Sequence, residues 1–356
     1  MAIEVDFIIH PGYGKTGTSW IQEFALPNLE ILNIGKNKKN NKNINKKKNE
    51  VFVPIYRPLD YLKKYKIYNY HIEKYADLLC KKIFKNIQMV KKKKIIFFSD
   101  ENIFGFGGIY INAINLKLLI EIIKKKLKKK FNLNVIILLT IRDQATYLGS
   151  FYGYDYSIQK NFFSNFQEFI NYGIQNPYSK KFGDLMYYEN YNLLKLILPA
   201  NYKINIVPYE ILNKYPHLFL KEIFRFNKKT NIKKLRLDFF EKNKKKINSN
   251  FTKKNSGNWI LKENFLLSLL NKIYIYEEKI KNMLIGKPKI KKYLKLLFNH
   301  LKSNQNYTST QFISLKKNDL IKIKKIYKNS NLKLLDYLSP FSKKFVFNYT
   351  KNIKYK

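Results

Sequence analysis

The stretch EVDFIIHPGYGKTGTSWIQ, residues 4–22, runs from an apolar segment into a loop of glycines and hydroxyl side chains. The segment Phe7-Ile8-Ile9 is short and continuous, as is typical of a strand buried inside a parallel sheet. A strand that leads through a glycine-rich loop into a helix turns free backbone N–H groups and the positive end of the helix dipole toward one point. The stretch therefore predicts a phosphate-binding loop, with an ordinary strand-to-helix turn as the alternative.

The loop departs from the Walker A pattern of ATP- and GTP-binding proteins. That pattern reads G-x-x-x-x-G-K-[ST], and its end would fall on Gly14-Lys15-Thr16. Its first glycine would then fall on Ile9, inside the predicted strand, and the next glycine, Gly17, follows the lysine instead. We therefore expect a shorter anion site in which Lys15 supplies a mobile positive charge. Three hydroxyl donors complete it: Thr16, Thr18 and Ser19.

Composition predicts a folded protein with a large core, because 45% of the 356 residues are hydrophobic and 16% are aromatic. The net charge of +44 comes almost entirely from lysine. Lysine, asparagine and isoleucine are abundant along the whole chain, as in proteins encoded by AT-rich genomes, whereas nucleic-acid readers favour arginine. We therefore expect no specific nucleic-acid partner, although the charge raises the local concentration of anionic ligands.

Several classes of protein are disfavoured by what the sequence lacks. Cys80 is the only cysteine, which excludes an internal disulfide and a cysteine zinc site. No spacing of histidines and carboxylates predicts a metal ion. The first strand begins almost at once without a basic-then-apolar leader, so we expect a cytoplasmic protein. The longest apolar run, residues 135–139, is too short for a transmembrane segment. The oligomeric state stays open.

Short apolar strands alternate with helical patterns along the chain. Strands are expected at residues 4–10, 95–98, 134–141 and within YKINIVPYEIL, residues 202–212. This alternation predicts a three-layer α/β/α fold with a central parallel sheet, as a single domain over residues 1–356. The Lys/Asn-rich segment 36–50 predicts a polar surface loop, and residues 257–356 predict a helical C-terminal portion.

Ligands of such sheets bind outside the carboxyl ends of the strands. Four chemically rich segments follow predicted strands and are therefore expected along one rim: 11–19, 99–102, 142–150 and 208–210. Three of them resemble the sulfotransferases that use PAPS, 3′-phosphoadenosine 5′-phosphosulfate. GKTGTSW, residues 14–20, is similar to that family's P-K-[ST]-G-[ST]-[ST]-W loop, with Gly14 in place of proline.

The second and third segments carry the resemblance further. IRDQATYLGS, residues 141–150, holds Arg142 and Ser150 at the spacing with which the family grips the 3′-phosphate of its donor. The strand that leads into Tyr209 resembles a third family element. LIKIKKIYKNSNLKLLDYL, residues 320–338, resembles the last helices of bacterial carbohydrate-type members.

The resemblance implies a P-loop-like, nucleotide-binding architecture and an enzyme that transfers a sulfuryl group from PAPS to a hydroxyl or amine. The implied acceptor is a carbohydrate or glycan precursor. The implied donor-binding residues are Gly14, Lys15, Thr16, Gly17, Thr18, Ser19, Trp20, Arg142, Ser150 and Tyr209. Trp20 would stack on the adenine, with core packing as its alternative. A salt bridge for Arg142 and an ordinary helix-face role for Ser150 are the alternatives for the second motif.

The resemblance also implies that Lys15 stabilises the leaving oxygen, and three residues are candidates for the general base. Cytosolic family members carry a histidine after the strand that corresponds to residues 95–98, where this chain reads SDENIF. Glu101 is the first candidate for the base and Asp100 the second, with helix capping as the alternative for both. His10 is a third catalytic candidate, with a hydrogen-bonded core histidine as its alternative.

Two other functions compete with this interpretation. A P-loop kinase or NTPase would use IIFFSD, residues 95–100, to place Asp100 on magnesium. A non-catalytic polyanion-binding protein would use the lysines without any need for Lys15 or Arg142.

Overall fold

The computed structural model describes residues 2–13, 16–29, 31–35, 61–100, 103, 109–154, 156–159, 162–227, 258–263 and 309–351. The predicted surface loop 36–50 lies outside these residues, as do Gly14, Lys15 and Glu101.

An all-parallel sheet of five strands is the centre of the fold and confirms the predicted α/β class. Its strands are β1 (Ile3–His10), β2 (Leu32–Asn33), β3 (Ile95–Ser99), β4 (Phe131–Ile141) and β5 (Lys203–Pro208). They lie in the order β2-β3-β1-β4-β5. The two-residue edge strand β2 is too short to leave a periodic pattern, which is why the sequence did not indicate it.

The central position of β1 explains its apolar run. Ile8 pairs with Phe97 of β3 on one side and with Ile136 of β4 on the other. All three side chains are fully buried or nearly so. A strand flanked on both sides and covered on both faces needs apolar residues at consecutive positions, not at alternate ones.

Helices connect the strands. They are α1 (Thr18–Trp20), a π-helical segment (Ile21–Ala25), α2 (Leu26–Asn28), α3 (Tyr61–Lys85), α4 (Ile87–Lys93), α5 (Ile109–Leu127), α6 (Gln144–Tyr154), α7 (Tyr156–Gln159), α8 (Phe166–Gln175), α9 (Lys180–Gly183), α10 (Tyr187–Ile197), α11 (Tyr209–Lys214), α12 (Pro216–Ile223), α13 (Lys317–Leu334) and α14 (Pro340–Thr350). A short 3₁₀ helix, Leu335–Tyr337, lies between the last two. None of the helices that the structure describes is long and apolar enough to cross a membrane.

The first helical run is longer than its sequence suggests. The α1, π-helical and α2 segments follow one another from Thr18 to Asn28. The sequence predicts a helix over residues 17–26 that Pro27 ends, whereas in the structure Pro27 lies inside the last turn. A proline so close to a helix end removes only one hydrogen bond, so the chain stays helical for one more residue.

The described chain divides into two compact units, and the expectation of one domain stays a prediction. The first unit comprises residues 1–143, 178–249 and 324–356 and holds the parallel sheet. The second comprises residues 144–177 and 250–323. It contains an antiparallel pair, β6 (Asn258–Glu263) with β7 (Ser309–Ser314). These strands lie in the region 257–356 that we expected to be helical throughout; helices α13 and α14 there agree with the expectation.

Candidate anion-binding site

The carboxyl ends of four strands define the site. His10, Ser99, Ile141 and Pro208 end β1, β3, β4 and β5. Because the strands are parallel, the segments that follow them leave the sheet at one edge. The chain turns from β1 to β2 and β3 on one side and then to β4 and β5 on the other, so the end of β1 lies where the strand order reverses. Open parallel sheets bind ligands at such a point.

Two glycines shape the loop after β1. Gly12 has φ +54° and Gly17 has φ +90°, both in the left-handed region that side chains rarely adopt. A Cβ atom on Gly12 would lie 3.2 Å from Thr18 Oγ1. One on Gly17 would lie 3.0 Å from Leu212 and 3.1 Å from the Tyr209 ring. The loop therefore needs glycine at both positions, and Gly17 brings it against the start of α11.

The hydroxyl of Thr18 is the most informative atom at the helix start. Thr18 is 2% exposed, and its Oγ1 is buried without a hydrogen-bond partner among the described residues. A buried hydroxyl without a partner costs about 1–3 kcal/mol. Ser19 beside it is exposed. Thr18 thus holds a donor ready at the first helical residue, where an anion is also favoured by the dipole.

Thr16 has a different role from the one its sequence position predicts. Its hydroxyl donates to the carbonyl of Tyr13 at 2.5 Å and lies 2.7 Å from Thr140 Oγ1 of β4. Since its single proton goes to the Tyr13 carbonyl, the Thr16 hydroxyl is not left over as a donor to a phosphate. The side chain instead fixes the loop to the sheet.

His10 continues this chain of hydrogen bonds. Its Nε2 lies 2.9 Å from Thr140 Oγ1, and its Nδ1 lies 2.9 Å from Ser99 Oγ. The amide of Gln22 donates to the same Ser99 Oγ at 2.9 Å. The network joins the ends of β1, β3 and β4 to the loop and to the first helical run.

The donors at the two ends of this network fix the protons between them. The Thr16 proton is used on Tyr13, so Thr140 must donate to Thr16, and the Thr140 oxygen must then accept from His10 Nε2–H. His10 Nδ1 is left as the acceptor of the Ser99 hydroxyl. Neutral His10 with its proton on Nε2 satisfies every group.

Burial agrees with a neutral His10, since it lowers the pKa of the imidazole to about 3. The ring is completely buried, and both of its nitrogens are hydrogen-bonded inside the protein. We expected His10 as a catalytic candidate from the sequence. The structure instead favours the core-histidine alternative, because neither nitrogen is open to an acceptor.

Trp20 also takes its alternative role. It is 6% exposed, and its ring contacts Phe24 and Phe219 at centroid distances of 5.7 and 6.0 Å. The side chain belongs to the apolar cluster that includes Ile8, Phe97 and Ile136 of the sheet. A ring packed into this core is not positioned to stack on an adenine.

Arg142 lies where β4 ends, and its backbone is held from both sides. The Tyr187 hydroxyl donates to the Arg142 carbonyl at 2.6 Å and accepts from the Arg142 N–H at 3.3 Å. The guanidinium lies over the Tyr209 ring, with 5.1 Å from its carbon to the ring centroid. Tyr209 in turn lies against Gly17. The structure thus brings together Arg142, Tyr209 and the loop, as predicted for one rim.

Glu210 and Tyr349 take part in the same region, although the sequence did not single them out. The Glu210 carboxylate accepts from the Asp143 N–H at 3.0 Å and from the hydroxyl of Tyr349. Burial raises the pKa of Glu210, and these hydrogen bonds act against that rise. The separation of 139 residues between Glu210 and Tyr349 leaves no local signal by which this pair could have been found.

Asp100 follows β3, and only 9% of it is exposed. Its backbone N–H donates to the His10 carbonyl at 3.1 Å, and its Oδ2 accepts from the Tyr75 hydroxyl at 3.4 Å. Burial and the charge of Asp100 raise the pKa of Tyr75 well above its ordinary value. The second candidate for the base is therefore held at the correct edge of the sheet.

Ser150 lies on α6, in the second compact unit, and is 7% exposed. Arg142, its partner in the sequence motif, directly follows β4 in the first unit. Their joint role in holding a phosphate stays a prediction from the motif.

Comparison with protein-family models, with curated proteins and with solved structures found no match for this chain. Within the described ranges, no group of three or more histidine, cysteine or carboxylate side chains is arranged to hold a metal ion. The geometry of the loop and the sequence motifs are accordingly the basis for a functional proposal.

Proposed function

We propose that the protein is a PAPS-dependent sulfotransferase. The main support is the buried Thr18 hydroxyl, which has no hydrogen-bond partner among the described residues. It lies at a helix start that follows two left-handed glycines. A polar atom in that position lowers its free energy when a ligand oxygen replaces the missing partner. Together with the backbone N–H groups of the helix start, Thr18 suits the 5′-phosphosulfate of the donor.

A three-layer, P-loop-like architecture is part of the proposal. Phe97 and Phe98 point to opposite faces of the sheet, as neighbours on a strand do. Phe97 packs with the apolar cluster of the first helical run, and Phe98 contacts the Tyr75 ring of α3 at 6.2 Å. Helices on both faces support the three layers, and sheets of this kind bind ligands at the carboxyl ends of their strands.

The second phosphate of PAPS needs a separate cationic group. Arg142 is one of four arginines in the chain, and its guanidinium lies at the carboxyl edge over Tyr209. Arginine binds phosphate with two parallel hydrogen bonds. Because Tyr209 also contacts the loop at Gly17, this arginine is close enough to serve the same ligand.

The chemistry needs one new bond and one broken bond. The acceptor oxygen or nitrogen forms a bond to sulfur, the bond between sulfur and the bridging phosphate oxygen breaks, and the acceptor proton passes to a carboxylate base. Charge grows on the leaving oxygen, where a lysine and helix N–H groups stabilise it. The sequence motif assigns that lysine to Lys15. Asp100 and Glu101 are the candidate bases after β3.

A carbohydrate acceptor is the most specific part of the proposal and rests on the resemblance of residues 320–338 to the carbohydrate-type members. The described part of that region is α13 and the 3₁₀ helix that follows it.

Thermal unfolding with added nucleotides tests the proposal. PAP, the desulfated donor product, has phosphates at both the 5′ and 3′ positions, whereas AMP lacks the second. A ligand that binds only the folded state raises the melting temperature by mass action. We expect a clear rise with PAP, little with AMP, and loss of the PAP effect in Arg142→Ala.

Arg225→Ala is the matched control, because Arg225 also lies over an aromatic ring, Phe226, at 4.6 Å, in another part of the unit. Its variant should keep the PAP response. A response to ATP with magnesium and none to PAP would contradict the proposal and favour the kinase alternative. Equal responses to PAP in the wild type and in Arg142→Ala would remove the assigned role of Arg142.

A further inference from the structure

Two lysine-rich turns lie at the amino ends of the strands, at the opposite end of the sheet from the candidate site. Lys94 directly precedes β3, and Lys130 directly precedes β4. Their carbonyls accept from Asp6 N–H and Ile3 N–H of β1 at 2.9 and 3.0 Å, so both turns flank the start of the central strand. The exposed lysines at the end of α4 and in these turns form what we term the basic face: Lys91, Lys92, Lys94, Lys128, Lys129 and Lys130.

Acidic residues offset only part of the positive charge of this face. The sequence contains no aspartate or glutamate from position 78 to 99 or from 122 to 142. Asp77 nearby is paired with Lys126 at 2.8 Å. Glu4 and Asp6 of β1 accept from the neutral amides of Asn132 and Asn134 at 2.5 and 2.6 Å and keep their negative charges. Lysine is common throughout the chain, but here six exposed lysines gather at one edge with no acid of their own segments between them.

Apolar side chains are exposed among these lysines. Phe84 on α3 and Met89 on α4 are each 38% exposed. Lys130 Nζ lies 5.1 Å from the centroid of the Phe84 ring, which places the turn before β4 beside the end of α3. An exposed phenylalanine and methionine among lysines can enter the boundary between lipid headgroups and acyl chains, while the ammonium groups stay at the level of the phosphates.

Lys94 shows that this arrangement carries a cost. It adopts φ +56°, the only left-handed conformation of a residue other than glycine within the described ranges. Glycine would adopt the same conformation at the end of α4 without the steric cost. The position nevertheless carries a side chain, and that side chain is a cation on the basic face.

We propose that the basic face binds the surface of an anionic lipid membrane. Clusters of four to eight lysines attract anionic headgroups, with each lysine adding to the binding. Nucleic acid fits less well, because the face has no arginine for bidentate contacts and exposes Phe84 and Met89 to the ligand. With eight residues in β1, the face lies roughly 25 Å from the loop at the other end of the strand. A membrane-bound molecule therefore keeps the carboxyl edge of the sheet open.

Sedimentation of the full chain with lipid vesicles tests this inference and needs no sulfotransferase activity. One vesicle preparation contains phosphatidylcholine alone, and the other adds phosphatidylglycerol. We expect binding to the anionic vesicles only. The binding should weaken at about 1 M salt, where the Debye length falls to about 3 Å. The variant Lys91→Glu, Lys92→Glu, Lys129→Glu should bind at least about tenfold more weakly, since each lysine contributes separately.

Matched variants separate this face from the general charge of the chain. Lys325→Glu, Lys328→Glu, Lys344→Glu changes the charge equally at exposed positions of α13 and α14 and should bind like the wild type. Phe84→Ser with Met89→Ser should weaken vesicle binding without changing the net charge. Equal loss in the two triple variants, or absence of vesicle binding, would overturn the proposal. The proposal would also be overturned if the protein binds RNA through the basic face and does not bind vesicles.

Discussion

The side-chain oxygens of Thr16 and Thr140 lie 2.7 Å apart although 124 residues separate them. Through this contact the loop after β1 is tied to β4, and through His10 and Ser99 to β1 and β3. Thr16 of the loop and Thr18 at the helix start thus differ in their hydrogen bonding. The Thr16 hydroxyl donates its proton inside the protein, while the buried Thr18 hydroxyl has no hydrogen-bond partner among the described residues.

This difference predicts opposite effects of the same substitution. Thr16→Val removes a donor to Tyr13 and the acceptor of Thr140, so the free energy of unfolding should fall by about 1–3 kcal/mol. Thr18→Val replaces a hydroxyl without a partner by a methyl group of similar size and should leave the stability unchanged or slightly raised. Urea unfolding without ligand measures both.

Ligand binding should depend on the Thr18 hydroxyl, although the stability of the free protein does not. If Thr18 donates to the donor phosphate, Thr18→Val should lose most of the PAP-induced rise in melting temperature while its stability without ligand is kept. A Thr18→Val protein that is as stable as the wild type and binds PAP equally well would remove Thr18 from the site.

A second prediction concerns the two nitrogens of His10. The amide of His10→Gln has the length to keep a donor to Thr140, whereas the shorter His10→Asn keeps a partner only for Ser99. Each variant keeps one of the two hydrogen bonds and loses the other, so each should be about 1–3 kcal/mol less stable than the wild type. Because the bond to Thr140 leads on to Thr16 of the loop, the asparagine variant should bind PAP more weakly than the glutamine variant. Urea unfolding and a PAP titration of the two variants make the comparison.

Two results would argue against this account of His10. Loss of sulfuryl transfer in His10→Gln with full PAP binding would mean that His10 takes part in the chemical step. A ¹⁵N spectrum with the His10 proton on Nδ1 would contradict the derived order of hydrogen bonds.

A third prediction follows from the lowered pKa of His10, about 3 in the folded protein against 6.5 as its ordinary value. The unfolded chain binds a proton to this residue at a higher pH than the folded chain does. Its contribution to stability is therefore fully present above pH 6.5 and decreases as the pH falls from there toward 3. At pH 5 the decrease amounts to about 2 kcal/mol, from about 1.4 kcal/mol per unit.

The pH dependence of unfolding in His10→Gln isolates this contribution from that of the carboxylates. The difference in unfolding free energy between the wild type and the variant should shrink between pH 7 and pH 5, because only the wild type has an imidazole to protonate. A difference that stays constant over this range would show that His10 does not titrate as its burial requires.

The sequence predicted the sheet well because buried parallel strands consist of continuous apolar runs. Phe7-Ile8-Ile9 and residues 134–141 could be recognised for this reason, and both lie in the central strands. Gly17, which the motif singled out, adopts a left-handed conformation in the loop, and so does Gly12, which the sequence analysis did not single out. Short elements without such a pattern were missed, as with β2 and the pair β6 and β7.

The roles of individual side chains were harder to predict, because they depend on partners far away in the sequence. Thr16 has the position of a phosphate ligand in the motif, but only Thr140 and Tyr13 reveal where its proton goes. His10 follows the same logic with Ser99 and Thr140. Trp20 lies in the first turn of the helical run, and only Phe219 shows that its ring is turned into the core.

The last prediction assigns the base after β3. Asp100→Asn and Glu101→Gln each remove one carboxylate and keep the size of the side chain. The base accepts the acceptor proton only in the chemical step, so its loss should lower kcat by about 10²–10⁴-fold with little effect on PAP binding. We expect this of one variant alone, because neighbouring side chains point in different directions.

Tyr75→Phe distinguishes a chemical role of Asp100 from a structural one. The Tyr75 hydroxyl donates to Asp100 Oδ2 at 3.4 Å, and a hydrogen bond to the ionised carboxylate makes it a weaker base. If Asp100 is the base, Tyr75→Phe should shift the acidic limb of the kcat–pH profile to higher pH. If Glu101 is the base, that limb should stay in place, and Asp100→Asn should lower stability more than it lowers kcat. Full turnover in both carboxylate variants would mean that the proton leaves by another route.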